Sequence, residues 1–181
     1  MKRDDQSATS VSSGPTRAWS AILWIGLVAG TLDITDSLIF NWLRGITPTM
    51  IFQYIASGLI GPRSFTLGGA SVALGVALHY LIALAWTGAF YLTSRRIPVM
   101  RRRPVLCGLL YGGFVYLVMN FVVLPLSRVP LPRSTPTAAS RINGILAVVL
   151  LIGLTISLLV RFVDSRCASA PRAGSRQAPA F

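Results

Sequence analysis

Four long apolar runs constrain what this chain can fold into more than any other feature of its sequence. They cover about residues 18–43, 66–93, 104–126 and 142–163. A helix rises ~1.5 Å per residue, so about 20 apolar residues cross a ~30 Å hydrocarbon core. A spanning helix also satisfies its own backbone hydrogen bonds. The runs therefore predict an all-α integral membrane four-helix bundle.

A shorter segment at about 47–60 predicts an additional helix that does not span. Thr47 and Pro48 are typical of an N-cap and a first helical residue, and Gly61 and Pro62 end the segment. Its 14 residues are too few to cross the bilayer. We expect this helix to be interfacial or re-entrant.

The composition leaves little room for a soluble domain. Of 181 residues, 53% are hydrophobic and 12% are charged, against about 25% charged in soluble domains. The polar ends, 1–17 and 164–181, predict disordered tails around a transmembrane domain at 18–163. The first apolar run is too long for a signal-peptide core, so we expect it to be retained.

Positive charge is distributed unevenly around the four runs. The N-terminal segment holds three Lys or Arg, the second connection five and the C-terminal segment four, which makes twelve. The first and third connections together hold five. The positive-inside rule then places both termini in the cytoplasm, with the chain in the inner membrane. Because the net charge of +12 lies at these flanks, we expect lipid rather than nucleic acid as the partner.

The second connection carries a cluster of arginines. They are Arg95, Arg96, Arg101, Arg102 and Arg103. Such a cluster can bind anionic lipid headgroups. The interpretation that we favour is simpler: the cluster fixes the topology.

Asp33 and Asp36 lie inside the first apolar run. An Asp in the middle of a membrane helix costs about 2.5–3.5 kcal/mol on insertion scales, so both must turn away from lipid or be neutralised. One interpretation is a protonatable or cation-binding site. The other is packing, in which hydrogen-bonded carboxyl groups hold helices together, and it fits Asp36 better because that residue lies nearer the end of the run.

His79 and Asn120 place polar side chains inside the second and third runs. His79 can form a proton relay with Asp33, although an interhelical hydrogen bond is the commoner role of a lone buried histidine. Asn120 is expected to make an interhelical polar contact, and Asn143 to cap the fourth helix. Together, the intramembrane polar residues predict a polar cluster in the outer half of the bundle, covered by the short helix. Its members are Asp33, Asp36, His79 and Asn120.

Glycines predict where the helices approach one another closely. Gly26 and Gly30 form a small-xxx-small pair, as do Gly108 and Gly112, and Gly75 shares a helix face with the intramembrane histidine. Such pairs let two helix backbones come into contact. We expect each of these glycine stripes to face another helix.

Motifs for catalysis or for cofactor binding are missing from the sequence. It has no Walker A, nucleophile elbow, HExxH or dinucleotide fingerprint. Its two cysteines, Cys107 and Cys167, lie in different regions and form no CxxC. We therefore expect no enzyme, no cofactor and no metal site.

Five segments resemble a family of small, uncharacterised bacterial inner-membrane proteins with four transmembrane helices. The segments are Ala29–Asp33, Ile55–Gly61, Ala77–Tyr80, Leu109–Gly112 and Met119–Ser127. The resemblance supports the membrane fold and singles out Asp33, His79 and Asn120, but it implies no activity. In that family a second histidine follows the Asn-Gly that opens the last helix. Here no histidine follows Asn143-Gly144, which argues against a two-histidine or metal site.

Three functions agree with these features. The first, which we prefer at this point, is a non-enzymatic inner-membrane protein whose role the sequence does not identify. The second is a small proton- or cation-coupled transporter or channel that uses Asp33 and acts as a homo-oligomer. The third is an accessory subunit that packs its glycine-rich faces against a larger membrane protein.

Overall fold

The computed structural model describes residues 15–130 and 137–169, and every element in these two ranges is helical. The α-helices are α1 (Pro15–Trp42), α2 (Pro48–Ile60), α3 (Gly69–Arg96), α4 (Pro98–Arg102), α5 (Pro104–Val118), α6 (Leu124–Leu126), α7 (Ala138–Leu146) and α8 (Thr155–Ser169). A 3-10 turn at Gly61–Phe65 follows α2. Two π-helical segments, Met119–Val123 and Ala147–Leu154, join α5 to α6 and α7 to α8.

Four continuous helices are long and apolar enough to cross a membrane. They are Ala18–Trp42, Gly69–Arg96, Pro104–Leu126 and Ala138–Arg166, with 25, 28, 23 and 29 residues. At ~1.5 Å per residue even the shortest of them reaches about 35 Å, which exceeds a ~30 Å hydrocarbon core. The predicted all-α membrane bundle is confirmed, and we call these helices the first to fourth spans.

Threonine caps start two of the helices. The Thr47 hydroxyl accepts a hydrogen bond from the Met50 N–H at 3.4 Å, which starts α2 where the sequence predicts. The Thr137 hydroxyl does the same for the Ser140 N–H at 3.3 Å. The fourth helix therefore begins at 138 rather than at the expected 142, and Asn143 lies inside it instead of capping it.

Both ends of the helical bundle extend beyond the apolar runs. The sequence predicts polar tails up to residue 17 and from residue 164, but α1 begins at Pro15 and α8 continues to Ser169. At the C-terminal end of the fourth span, Asp164 of α8 pairs with Arg101 of α4 at 3.6 Å, which gives this charged side chain a partner beyond the apolar run. The remainder of both predicted tails lies outside the described residues.

The π-helical segments interrupt the third and fourth spans, where the sequence predicts regular helices. Pro125 follows the first of them and supplies no N–H to the helix, and its ring crowds the carbonyl four residues earlier. The Leu124 N–H accordingly bonds to the Met119 carbonyl, five residues back. In the fourth span the Thr155 hydroxyl donates to the Leu150 carbonyl at 3.3 Å. Such π turns are frequent at functional sites.

The glycines of α1 and α3 lie at close helix contacts. Gly26 and Gly30 pack against α3, and a Cβ at Gly30 would lie 3.0 Å from the Ala83 Cβ. Gly75 of α3 lies against the backbone of α2 at Phe52, where a Cβ would overlap the carbonyl group. These contacts hold the short helix and the first span on two faces of α3.

The third and fourth spans meet through glycines on both sides. A Cβ at Gly108 would lie 2.9 Å from the Ser157 Cβ, and one at Gly112 would lie 2.6 Å from the Val149 Cα. Gly153 completes the contact from the fourth span, because a Cβ there would meet the α5 backbone. Gly153 and Ser157 form a small-xxx-small pair, so this contact has a signal in the sequence beyond the glycines predicted above.

The apolar core fills one half of the bundle. The end of the bundle nearest this core holds Arg95–Arg103 and Arg161, and we call it the arginine end. We call the opposite end, where α2 lies, the short-helix end. The core consists of Ala21, Ile22, Ile25, Ala29, Phe90, Tyr91, Ile152, Ile156 and Val160. Large apolar side chains cover the outside of the spans, for example Leu110 at 66% and Phe121 at 73% exposed. An outer surface of this kind is suited to lipid contact.

Candidate functional site

A cavity of about 190 Å³ lies between the four spans. All four spans and the short helix contribute to its wall. The lining residues include Asp33, Ile55, His79, Trp86, Met119 and Val148. Asp33 and His79 are its two titratable residues, and the other lining residues are apolar or aromatic. Both π-helical segments border it, through Met119 and Val148. An apolar cavity with a few convergent polar groups is the usual form of a binding site.

Asp33 borders this cavity from near the middle of the first span. It lies nine residues from Trp42, so about 13 Å from the end of the helix. Its side chain is partly buried and borders the same cavity as His79. The side chain therefore contributes to the wall of an internal cavity, which lowers the cost of an Asp at this depth in the membrane.

His79 connects the second span to the first. Its Nε2 donates a hydrogen bond to the Gly30 carbonyl oxygen at 2.8 Å, because a carbonyl can only accept. A neutral ring that donates through Nε2 keeps Nδ1 as its acceptor, and Nδ1 is where it can take up a proton. His79 thus makes the expected interhelical hydrogen bond, and its partner Gly30 lies one turn of α1 before Asp33. Asp33 and His79 also border the same cavity.

Asp36 and Asn143 form a second polar pair. Asn143 Nδ2 donates to Asp36 Oδ2 at 2.9 Å and joins α1 to α7. Asp36 lies one turn closer to the short-helix end than Asp33. This hydrogen bond links the first and fourth spans, which is the kind of contact that the packing interpretation of Asp36 expects.

Asn120 does not join this group. Its Nδ2 donates to the carbonyl of Tyr116, four residues earlier in the same span, at 2.9 Å. The neighbouring Met119 borders the cavity instead. Val115, one turn earlier on the same face as Met119, borders the cavity too, so the side of the third span that faces inward is the one next to Asn120.

Aromatic side chains lie between the cavity and the arginine end. The Trp86 ring meets the rings of Tyr111 and Phe114 edge-on, at centroid distances of 6.2 and 6.1 Å, and Phe90 meets Tyr111 at 4.9 Å. The Tyr111 hydroxyl donates to the Trp86 carbonyl at 2.6 Å. These contacts fill the space between α3 and α5 with large rings. We call these four rings, of Trp86, Phe90, Tyr111 and Phe114, the aromatic layer; it lies between the cavity and the arginine end.

The arginines of the second connection are spread over three helix ends. The Arg95 guanidinium lies 5.2 Å from the centre of the Tyr91 ring. Arg101 pairs with Asp164 of α8 at 3.6 Å. The remaining members of the cluster are exposed: Arg96, Arg102 and Arg103. They surround α4, which connects the second and third spans.

Comparison with protein-family models, with curated proteins and with solved structures finds no match for this chain. Its four long apolar helices nevertheless make it a membrane-embedded protein. Its candidate site is the cavity between those helices, where the first and second spans bring Asp33 and His79 together.

Proposed function

We propose that this chain is a non-enzymatic, multi-pass protein of the bacterial inner membrane that passes protons or small cations, with Asp33 as the group that binds them. The observation that carries the proposal is the single cavity that Asp33 and His79 both border, between all four spans. Carboxyl groups inside membrane helices are rare, and they mark ion and proton pathways.

The size of the cavity favours a small transported species. Pockets for drug-sized ligands measure roughly 300–1,000 Å³, whereas this one measures about 190 Å³. It has room for roughly half a dozen waters at ~30 Å³ each. A proton with its hydrating water, or one small cation, fits this space.

The residues around the cavity suit uptake and release of a positive charge. A carboxylate among apolar side chains is costly at this depth, and binding of a proton or a cation at Asp33 neutralises it. The His79 ring is fixed through its bond to Gly30 and offers Nδ1 as a second proton acceptor. Asp33 and His79 thus place two side chains that can accept a proton on the same cavity.

Polar groups lead away from the cavity in one direction. The Asp36–Asn143 pair lies one turn, about 5 Å, nearer the short-helix end. Asn41 follows on the same helix, where its Nδ2 donates to the Ser37 carbonyl at 2.8 Å. The aromatic layer lies in the other direction. We infer that the cavity exchanges with the short-helix side, which the Lys and Arg count assigns to the outside, with both termini in the cytoplasm.

Flux measured in proteoliposomes tests the proposal. The purified chain is reconstituted with a pH-sensitive dye inside, and a potassium diffusion potential drives proton entry. We expect the wild type to change the internal pH faster than protein-free vesicles do. Asp33→Asn keeps the shape of the side chain but binds no proton, so its rate should equal that of protein-free vesicles.

Asn120→Ala is the matched control, because Asn120 is an intramembrane polar residue that lies off the cavity. It should retain the wild-type flux. Size-exclusion profiles establish that each variant folds before its flux is compared. Sodium and potassium gradients at constant pH test the small-cation alternative. Wild-type vesicles that leak neither protons nor cations above the protein-free rate contradict the proposal, and so does an Asp33→Asn variant that still conducts.

A further inference from the structure

A cleft of about 390 Å³ opens at the arginine end, between α4 and α8. It is lined by Pro98, Arg101, Arg102, Arg161, Asp164 and Ser165. It shares no residue with the central cavity. Its wall comes from the helix that connects the second and third spans and from the last turns of the fourth, so it lies where these spans leave the membrane.

The charge of this cleft is incompletely balanced. Three arginines and one aspartate line it, which leaves a net charge of +2. The whole chain has five acidic residues, and Asp164 is the only one that follows Asp36. Arg101 lies 3.6 Å from Asp164 Oδ2, and that buried oxygen receives no hydrogen bond from the described residues. The internal ion pair therefore leaves positive charge available to an outside anion.

We propose that this cleft binds the phosphate of an anionic phospholipid headgroup, with Arg102 and Arg161 as its main donors. Guanidinium groups present planar pairs of N–H donors that match phosphate oxygens. Basic pockets between membrane helices at the cytoplasmic side bind anionic headgroups in this way. Asp164 competes with the phosphate for Arg101, so it limits the affinity.

The surface beside the cleft favours a lipid over a soluble phosphate. Leu158 and Phe162 of α8 are 43% and 46% exposed, and Val99 of α4 is 55% exposed. Leu158 lies one turn before Arg161 on the fourth span, on the membrane side of the cleft. Phe162 lies level with Arg161, and the Arg166 guanidinium stacks on one face of its ring at 4.4 Å. An acyl chain attached to a phosphate in the cleft can lie along these apolar side chains, whereas a free phosphate gains nothing from them.

Lipid binding to the purified full-length chain tests this inference. Native mass spectrometry in a neutral detergent measures the affinity for three lipids: diphosphatidylglycerol, phosphatidylglycerol and zwitterionic phosphatidylcholine. The two phosphates of diphosphatidylglycerol match the +2 charge of the cleft. We expect the anionic lipids to bind and phosphatidylcholine not to bind. Each arginine contributes about fivefold in affinity, so Arg102→Gln with Arg161→Gln should weaken binding roughly 25-fold.

Two further variants separate this effect from misfolding and from general charge. Arg63→Gln with Arg128→Gln removes two exposed arginines at the short-helix end and should leave binding unchanged. Asp164→Asn should tighten binding about fivefold, a gain that loss of structure does not produce.

Two results would overturn the inference. One is equal loss of affinity in both double variants, which would indicate non-specific charge attraction. The other is binding of glycerol phosphate as tight as that of the lipids, which would indicate a soluble phosphate as the ligand. Neither outcome depends on flux through the central cavity, so this site and the proposed transport function are tested independently.

Discussion

The contact between the third and fourth spans gives the sharpest prediction about stability. At Gly112 an added Cβ would lie 2.6 Å from the Val149 Cα and 2.9 Å from the Val148 carbonyl oxygen. Carbon atoms in contact prefer about 3.5–4.0 Å. Both neighbours are backbone atoms, so no side-chain rotation relieves the overlap, and we expect Gly112→Ala to push the two spans apart.

The adjacent residue provides the matched control. A Cβ at Gly113 would meet nothing within 4 Å. Replacing either glycine with alanine adds the same helix propensity, up to ~1 kcal/mol, so this contribution cancels when the two variants are compared. The difference that remains is the cost of overpacking, about 1–3 kcal/mol. Gly113→Ala should therefore be at least as stable as the wild type, and Gly112→Ala clearly less stable.

The free energy of unfolding is measured by titrating the purified chain in mixed micelles with SDS and following helicity by circular dichroism. Val149→Ala combined with Gly112→Ala should recover little stability, because the overlap involves backbone atoms. Equal stability of Gly112→Ala and Gly113→Ala would refute the close packing of these spans. Full rescue by Val149→Ala would show that side chains, not backbones, set the distance between the helices.

Two other predictions concern the aromatic layer and the orientation. Tyr111→Phe removes the hydrogen bond to the Trp86 carbonyl. It should lower the free energy of unfolding by about 0.6 kcal/mol, the average for such bonds in membranes. A loss well above ~1.7 kcal/mol in the same SDS titration would show that the hydroxyl does more than link α3 to α5. A reporter enzyme fused within the connection at 127–137, between the third and fourth spans, should be active outside the cytoplasm. Activity of a cytoplasmic reporter at that position would contradict the topology.

The four spans could be predicted from the sequence because they depend on local properties. Run length and hydropathy decide whether a helix crosses the membrane, and the residues themselves carry this information. The start of α2 is equally local, since Thr47 and Pro48 act within the first turn. Asp33 and His79 could be chosen as site candidates for a related reason: a polar side chain in an apolar run is conspicuous wherever it points.

The partners of those side chains could not be predicted. Asn143 and Asp36 are separated by 107 residues, and no local pattern specifies that they meet. Nor does the sequence identify Gly30 as the acceptor for His79, because that bond depends on how closely the first two spans pack at their glycines. Which face of the third span borders the cavity also depends on its neighbours: Val115 and Met119, one helical turn apart, line the cavity, and Asn120 does not.

The sequence by itself thus determined that the chain forms four membrane helices, a short capped helix and a strongly basic end. Only the tertiary structure decided that Asp33 and His79 border one cavity, that Asp36 has a separate partner and that α4 and α8 form a charged cleft. The physical reason is the range of the interactions. Hydrophobic length and capping act within one helix, whereas a cavity depends on the distances between helices that are far apart in the chain.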